Sequence, residues 1–202
     1  MIKAIVFDIG DVVKKGTKDA HKKLTEILGV DYSEFEKLFH NHLHELLIGK
    51  MSCSEFSRIV ENQFGVKGVE KKWEQSLRKE LVFDNDVIRI VKGLRKRYVL
   101  GAISNIIDIT VRVNRGELAE SFFNSLFKIA VFSCEVGLRK PDKDIFEFYL
   151  DKAGLRAAEC IFIDDKIENL KNPRKMGFHV IHFESADQLK KELEKLGIEW
   201  KA

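Results

Sequence analysis

The sequence predicts an α/β fold: a parallel sheet with helices on both faces, interrupted early by an all-helical block. Three observations carry this. Short, β-branched apolar runs recur along the chain, and amphipathic helical patterns separate them. The runs are apolar at successive positions, as strands covered on both faces are. Residues 17–82 carry helical periodicity and no strand signal.

The strand-length runs are AIVF (4–7), YVLGAI (98–103), KIAVF (128–132), CIFI (160–163) and HVIHF (179–183). The first is followed by helical patterns at about 18–28, 33–48, 53–64 and 69–80. Ser52 with Glu55 forms a capping-box pattern. Gly29, Gly49 and Gly65 fall where helix C-caps belong. After the block, a helix starts at Asp84 or Asn85 and places Val87, Ile90, Val91 and Leu94 on one face. Another opens at Pro141 and stops at Gly154, and the last opens at Ser185 and stops at Gly197. The stretch DKIENLKNPRKMG is helical in pattern, with Pro173 expected to kink or restart it. The expected division is a core of 1–16 plus 83–202 and a helical insert at 17–82.

Composition narrows the function class. Apolar residues make up 45% of 202, enough for a sizeable core. Fifteen Phe against three Tyr and two Trp favour packing over surface recognition. A net charge of +3, mixed in sign along the chain, argues against nucleic acid. Three separated cysteines, Cys53, Cys134 and Cys160, suggest neither a disulfide framework nor a thiolate zinc site. No signal peptide and no membrane-spanning run is evident, so a soluble cytoplasmic protein is expected.

In parallel α/β sheets, ligands bind beyond the carboxyl ends of the strands. There the first strand ends in Asp8, the second in Ser104-Asn105 and the fourth in Asp164-Asp165, and a helix start brings Lys140. Carboxylates from two strands suit a hard cation such as Mg²⁺. A hydroxyl, an amide and an ammonium can hold an anion against it. An Asp beside such a metal can attack phosphorus and form an aspartyl-phosphate.

VFDIGDVV, AISN, GLRKPDKDIF and FIDDKIENL, in that order between residues 6 and 170, resemble the haloacid dehalogenase-like (HAD) hydrolase superfamily. The resemblance implies a Rossmann-like core with a helical cap inserted after the first motif. It implies Asp8 as nucleophile, Ser104 and Asn105 as binders of the transferring group, and Lys140 as the residue that steadies both. Asp164 and Asp165, with the Gly10 carbonyl, would hold Mg²⁺. The expected activity is hydrolysis of a small phosphate ester, with no nucleic-acid or membrane partner.

One residue departs from the pattern. Family phosphatases carry Asp-x-Asp, the second Asp serving as general acid for the leaving group; here that position is Gly10. The metal-binding carbonyl survives, while a proton transfer worth about 10²–10⁴ in rate is missing. Three readings follow: a phosphatase, a ligand-binding protein with weak or no turnover, and a 2-haloacid dehalogenase. The last is opposed by Asp-x-Gly in place of the dehalogenases' Asp-x-Tyr. Candidates for the missing donor are Asp11, which reads first as a turn residue, and His40 or His44 on one helical face. Asn169 is either a partner of the acidic pair or a solvated residue. Lys14 and Lys15 read as exposed, with contact to an anionic substrate as the alternative.

Overall fold

The computed structural model describes residues 1–115 and 126–200. Strands β1 (Ala4–Phe7), β4 (Val99–Ser104), β5 (Ile129–Phe132), β6 (Cys160–Asp164) and β7 (His179–His182) form one sheet, ordered β5-β4-β1-β6-β7. Every pairing in it is parallel. β1 lies in the middle, and Phe7 pairs with both Ala102 and Ile163, so three strands end side by side.

The pleat sorts the side chains. Ile5, Phe7, Ile161 and Ile163 join one hydrophobic cluster, and Ala4, Val6, Cys160 and Phe162 join another on the opposite face. Helices α5 (Asn85–Leu94) and α10 (Ala186–Lys195) complete the first cluster; α8 (Lys143–Ala153) and α9 (Ile167–Met176) complete the second. α7 is a single turn, Ser133–Val136. α9 continues through Pro173, so it does not restart there. Leu170 and Pro173 are buried on one side of it, and Asn172 Nδ2 donates to the Pro141 carbonyl at 2.8 Å. Tertiary contacts hold the helix where sequence alone would end it.

The helical block comprises α1 (Thr17–Leu28), α2 (Tyr32–Leu47), α3 (Cys53–Phe64) and α4 (Val69–Glu80). It has its own apolar cluster, built around Leu24, Phe35, Phe39, Phe56 and Trp73. Ile107, Ile109 and Val113, from the segment that enters α6 (Asp108–Arg115), join that cluster. A two-stranded antiparallel ribbon that the sequence does not signal joins block and sheet. In it β2 (Lys14–Lys15) pairs with β3 (Val82–Phe83).

Candidate active site

Sheet register brings the polar groups together. Asp8 leaves β1, Ser104 closes β4 and Asp164 closes β6, and all three are buried. Lys140, on the loop before α8, is 1% exposed. Its ammonium lies 2.9 Å from Asp8 Oδ1 and 2.6 Å from Asp164 Oδ2. Asp164 also accepts from Asn169 Nδ2 at 3.0 and 3.1 Å and from the Lys166 N–H at 2.9 Å. Asn169 is therefore a buried partner of the acidic pair.

Asn105 turns its side chain to the Lys140 backbone: Nδ2 donates to the Lys140 carbonyl and Oδ1 accepts the Lys140 N–H, both at 2.8 Å. Ser133 Oγ accepts from the Ile106 N–H at 2.9 Å and so fixes the loop after β4.

The electrostatics follow from burial. Asp8 is pushed above the ordinary carboxylate range by burial, and by Asp164, against the pull of Lys140. Burial works to lower Lys140, yet Asp8 and Asp164 raise it above an ordinary lysine, so the ammonium stays charged. Asp165 rises to about 6, through burial and then through Asp8 and Asp164.

Oxygens of Asp8, Asp164 and Asp165 all lie within 4.8 Å of one another. Asp165 Oδ1 is buried and has no hydrogen-bond partner among the described residues. Like charges so close favour a shared cation, and three carboxylate oxygens suit a hard divalent ion. The donor set fits Mg²⁺.

A cavity of about 380 Å³ opens over Asp8 and Lys140. Asp8, Gly10, Ser104, Asn105, Lys140 and Asn169 line its sheet side. The helical block contributes His21, Phe39, Leu43 and Leu47. Neither His40 nor His44 lines it. His40 Nδ1 donates to the Glu36 carbonyl at 2.7 Å, and His44 Nδ1 accepts from Arg139 at 3.0 Å. The histidine at the cavity is His21, which sequence reasoning missed. Its Nδ1 donates to Glu36 Oε1 at 2.7 Å, and its ring packs edge-on against Phe39 and Trp73.

Lys14, expected to be exposed, is buried. Its ammonium donates to Asn114 Oδ1 at 2.6 Å and stands 4.3 Å from the centre of the Phe83 ring. Burial pulls it down to about 8. Lys15 does point outward, where it pairs with Asp84 at 2.7 Å.

Comparison with known proteins places the chain in a family. D-ribitol-5-phosphate phosphatase of Bacteroides thetaiotaomicron is 26% identical over 96% of this chain and 97% of its own length. Drimenol cyclase drtB of Aspergillus calidoustus is 23% identical over 96% of this chain, which spans only 36% of that longer protein. A HAD family enzyme of B. thetaiotaomicron, solved with magnesium and inorganic phosphate, shares the fold. Its TM-score is 0.78, at 21% identity, over 91% of this chain and 95% of that one. The model of the haloacid dehalogenase-like hydrolases matches residues 2–177, and the chain belongs to that family.

Proposed function

We propose that the protein is a Mg²⁺-dependent phosphatase of a small phosphorylated metabolite, working through an aspartyl-phosphate on Asp8. The observation that carries this is the cluster of buried Asp8, Lys140 and Asp164 with half-buried Asp165, whose Asp8 and Lys140 line the cavity. The phosphatase name of the ribitol-phosphate relative and the magnesium and phosphate in the solved neighbour support it.

In this reading an Asp8 oxygen attacks phosphorus and the leaving oxygen departs. Water then attacks the phosphorus of the acyl phosphate, releasing phosphate and restoring Asp8. Lys140 holds Asp8 in place and offsets charge on the transferring oxygens. Ser104 donates to one of those oxygens. Asn105 holds the Lys140 backbone and so positions its ammonium. Asp8, Asp164, Asp165 and the Gly10 carbonyl would hold Mg²⁺, which neutralises phosphoryl charge when bound. Position 10 offers the leaving group no proton, which favours esters with stable leaving groups.

Residues 17–82 then act as a cap on a core of 1–16 and 83–202. An apolar cluster built mainly from its own residues, and its share of the cavity wall, support that division. The test is a screen of phosphate esters with Mg²⁺, in wild type and in Asp8→Asn. Turnover that Asp8→Asn abolishes supports the reading. No turnover by wild type, or undiminished turnover by Asp8→Asn, sinks it.

A further inference from the structure

Two cavity residues have no part in the chemistry above. Lys14 and Asn114 come from β2 and α6, a hundred positions apart, and meet at 2.6 Å. Lys14 can only donate, so the Asn114 oxygen must face it and the amide nitrogen must turn away. That nitrogen is the second observation. Asn114 is 1% exposed, lines the cavity, and its Nδ2 has no hydrogen-bond partner among the described residues. A buried donor left unmade costs about 1–3 kcal/mol.

Lys14 is equally short of partners. No carboxylate among the described residues pairs with it. Asp11 and Glu168, the other acids at the cavity, are exposed. Its ammonium keeps N–H groups beyond the one given to Asn114. Ammonium and amide together present donors only, one of them charged, and the matching ligand is an acceptor-only anion.

Position in the fold places this pair. Lys14 makes a backbone bridge with Gly10, two residues beyond Asp8. Lys14 and Asp8 line the same cavity, and nothing lies within 4 Å of where a side chain at Gly10 would begin.

We propose that Lys14 and Asn114 form a second anion subsite in the cavity, which receives a carboxylate or second phosphate on the leaving group. The substrates are then small, doubly anionic phosphate esters. This rests on the phosphatase reading for the end of the substrate held at Asp8.

The test compares three esters: glycerol 3-phosphate, 3-phosphoglycerate and 1,3-propanediol bisphosphate. The first has a neutral leaving group, and the other two carry a carboxylate and a phosphate. Wild type is expected to favour at least one anionic ester by about tenfold or more in kcat/KM, since a site built for a polar group discriminates against analogues lacking it. The ester preferred identifies which anion is bound. Lys14→Met and Asn114→Asp should collapse the ratio to about twofold or less, and Lys14→Arg should keep most of it. The same ratios are read as Kd for the intact esters on Asp8→Asn with Mg²⁺, where no turnover is needed.

A Lys14-dependent preference in binding without any wild-type turnover would sustain the subsite and overturn the phosphatase reading. Equal turnover of all three esters would do the reverse. A Lys14→Met variant that loses all three equally, or binding with no preference, overturns the subsite.

Discussion

Asn105 and Lys140 hold each other through two hydrogen bonds of 2.8 Å, one from the Asn105 amide to the Lys140 carbonyl and one from the Lys140 N–H to the Asn105 oxygen. An amide side chain thus fixes the backbone whose ammonium reaches Asp8 and Asp164. Asn105→Ala loses both bonds at once. A shift of about 1 Å in a positioning group costs on the order of 10² in rate, and steady-state kinetics should show a loss of that size. Asn105→Asp, which keeps the acceptor and loses the donor, should fall between. Equal activity in all three proteins would remove Asn105 from the machinery.

Lys140 separates two buried carboxylates. Lys140→Met leaves them facing each other without a cation, a change that costs about 3–5 kcal/mol for a buried pair. In EDTA the variant should unfold at markedly lower denaturant than wild type. Mg²⁺ should restore more stability to it than to wild type, because the ion takes over the charge. The same denaturation midpoint with and without Mg²⁺ would contradict a metal site at Asp8, Asp164 and Asp165.

Gly10 has open space where a side chain would begin. Gly10→Asp therefore meets no clash at its first side-chain atom, and in the proposed mechanism it puts a carboxyl beside the leaving oxygen. Turnover of alkyl phosphates should rise by up to about 10²-fold, the lower end for a general acid. Turnover of p-nitrophenyl phosphate, which needs no proton, should barely change. A uniform change across both classes would show that the residue acts otherwise.

Asp84 caps α5, accepting from the Asp86 and Val87 N–H groups at 3.0 and 3.2 Å, and pairs with Lys15. Burial pushes its carboxyl up, but these bonds outweigh burial and hold it below the ordinary range. The folded value is lower than the unfolded one, so its contribution is complete above the unfolded value of about 3.9. It fades as pH falls through the folded value. Asp84→Ala should cost about 1 kcal/mol at neutral pH, and the two proteins should converge in stability as the pH drops below about 4.

Gly101 lies in the middle of β4, where an added methyl would overlap the Tyr149 hydroxyl and ring. That hydroxyl is buried without a partner among the described residues. Tyr149→Phe should therefore be neutral or stabilising, since it removes an unsatisfied group. Gly101→Ala should lose about 1–3 kcal/mol by overpacking. Urea denaturation of the single and double variants checks both values and their coupling.

The five sheet strands were legible as short continuous apolar runs, and the four helices of the block by their helical period. Asp8, Ser104, Lys140 and Asp164 were legible as a set because strand ends announce themselves locally. Lys14, Asn114 and His21 were not. His21 is buried by the packing of the block's own helices, and the Lys14–Asn114 pair joins positions a hundred residues apart. Nothing in VVKKG distinguishes the buried lysine from its exposed neighbour. β2 and β3 have two residues each, below any readable period. α6 also went unassigned, because its apolar residues, Ile109, Val111 and Val113, alternate as a strand's would while serving two different clusters.

The ribbon of β2 and β3 has a consequence beyond joining two parts. Lys14 faces Phe83 and Lys15 faces Val82, so the chain leaves the sheet and returns to it side by side. A segment whose ends already touch can be lengthened, shortened or exchanged at little closure cost and without rethreading the strands. Exchanging residues 17–80 needs the clasp and a match to Ile107, Ile109 and Val113, on which the block packs. A change in that segment therefore leaves the order of the five sheet strands as it is.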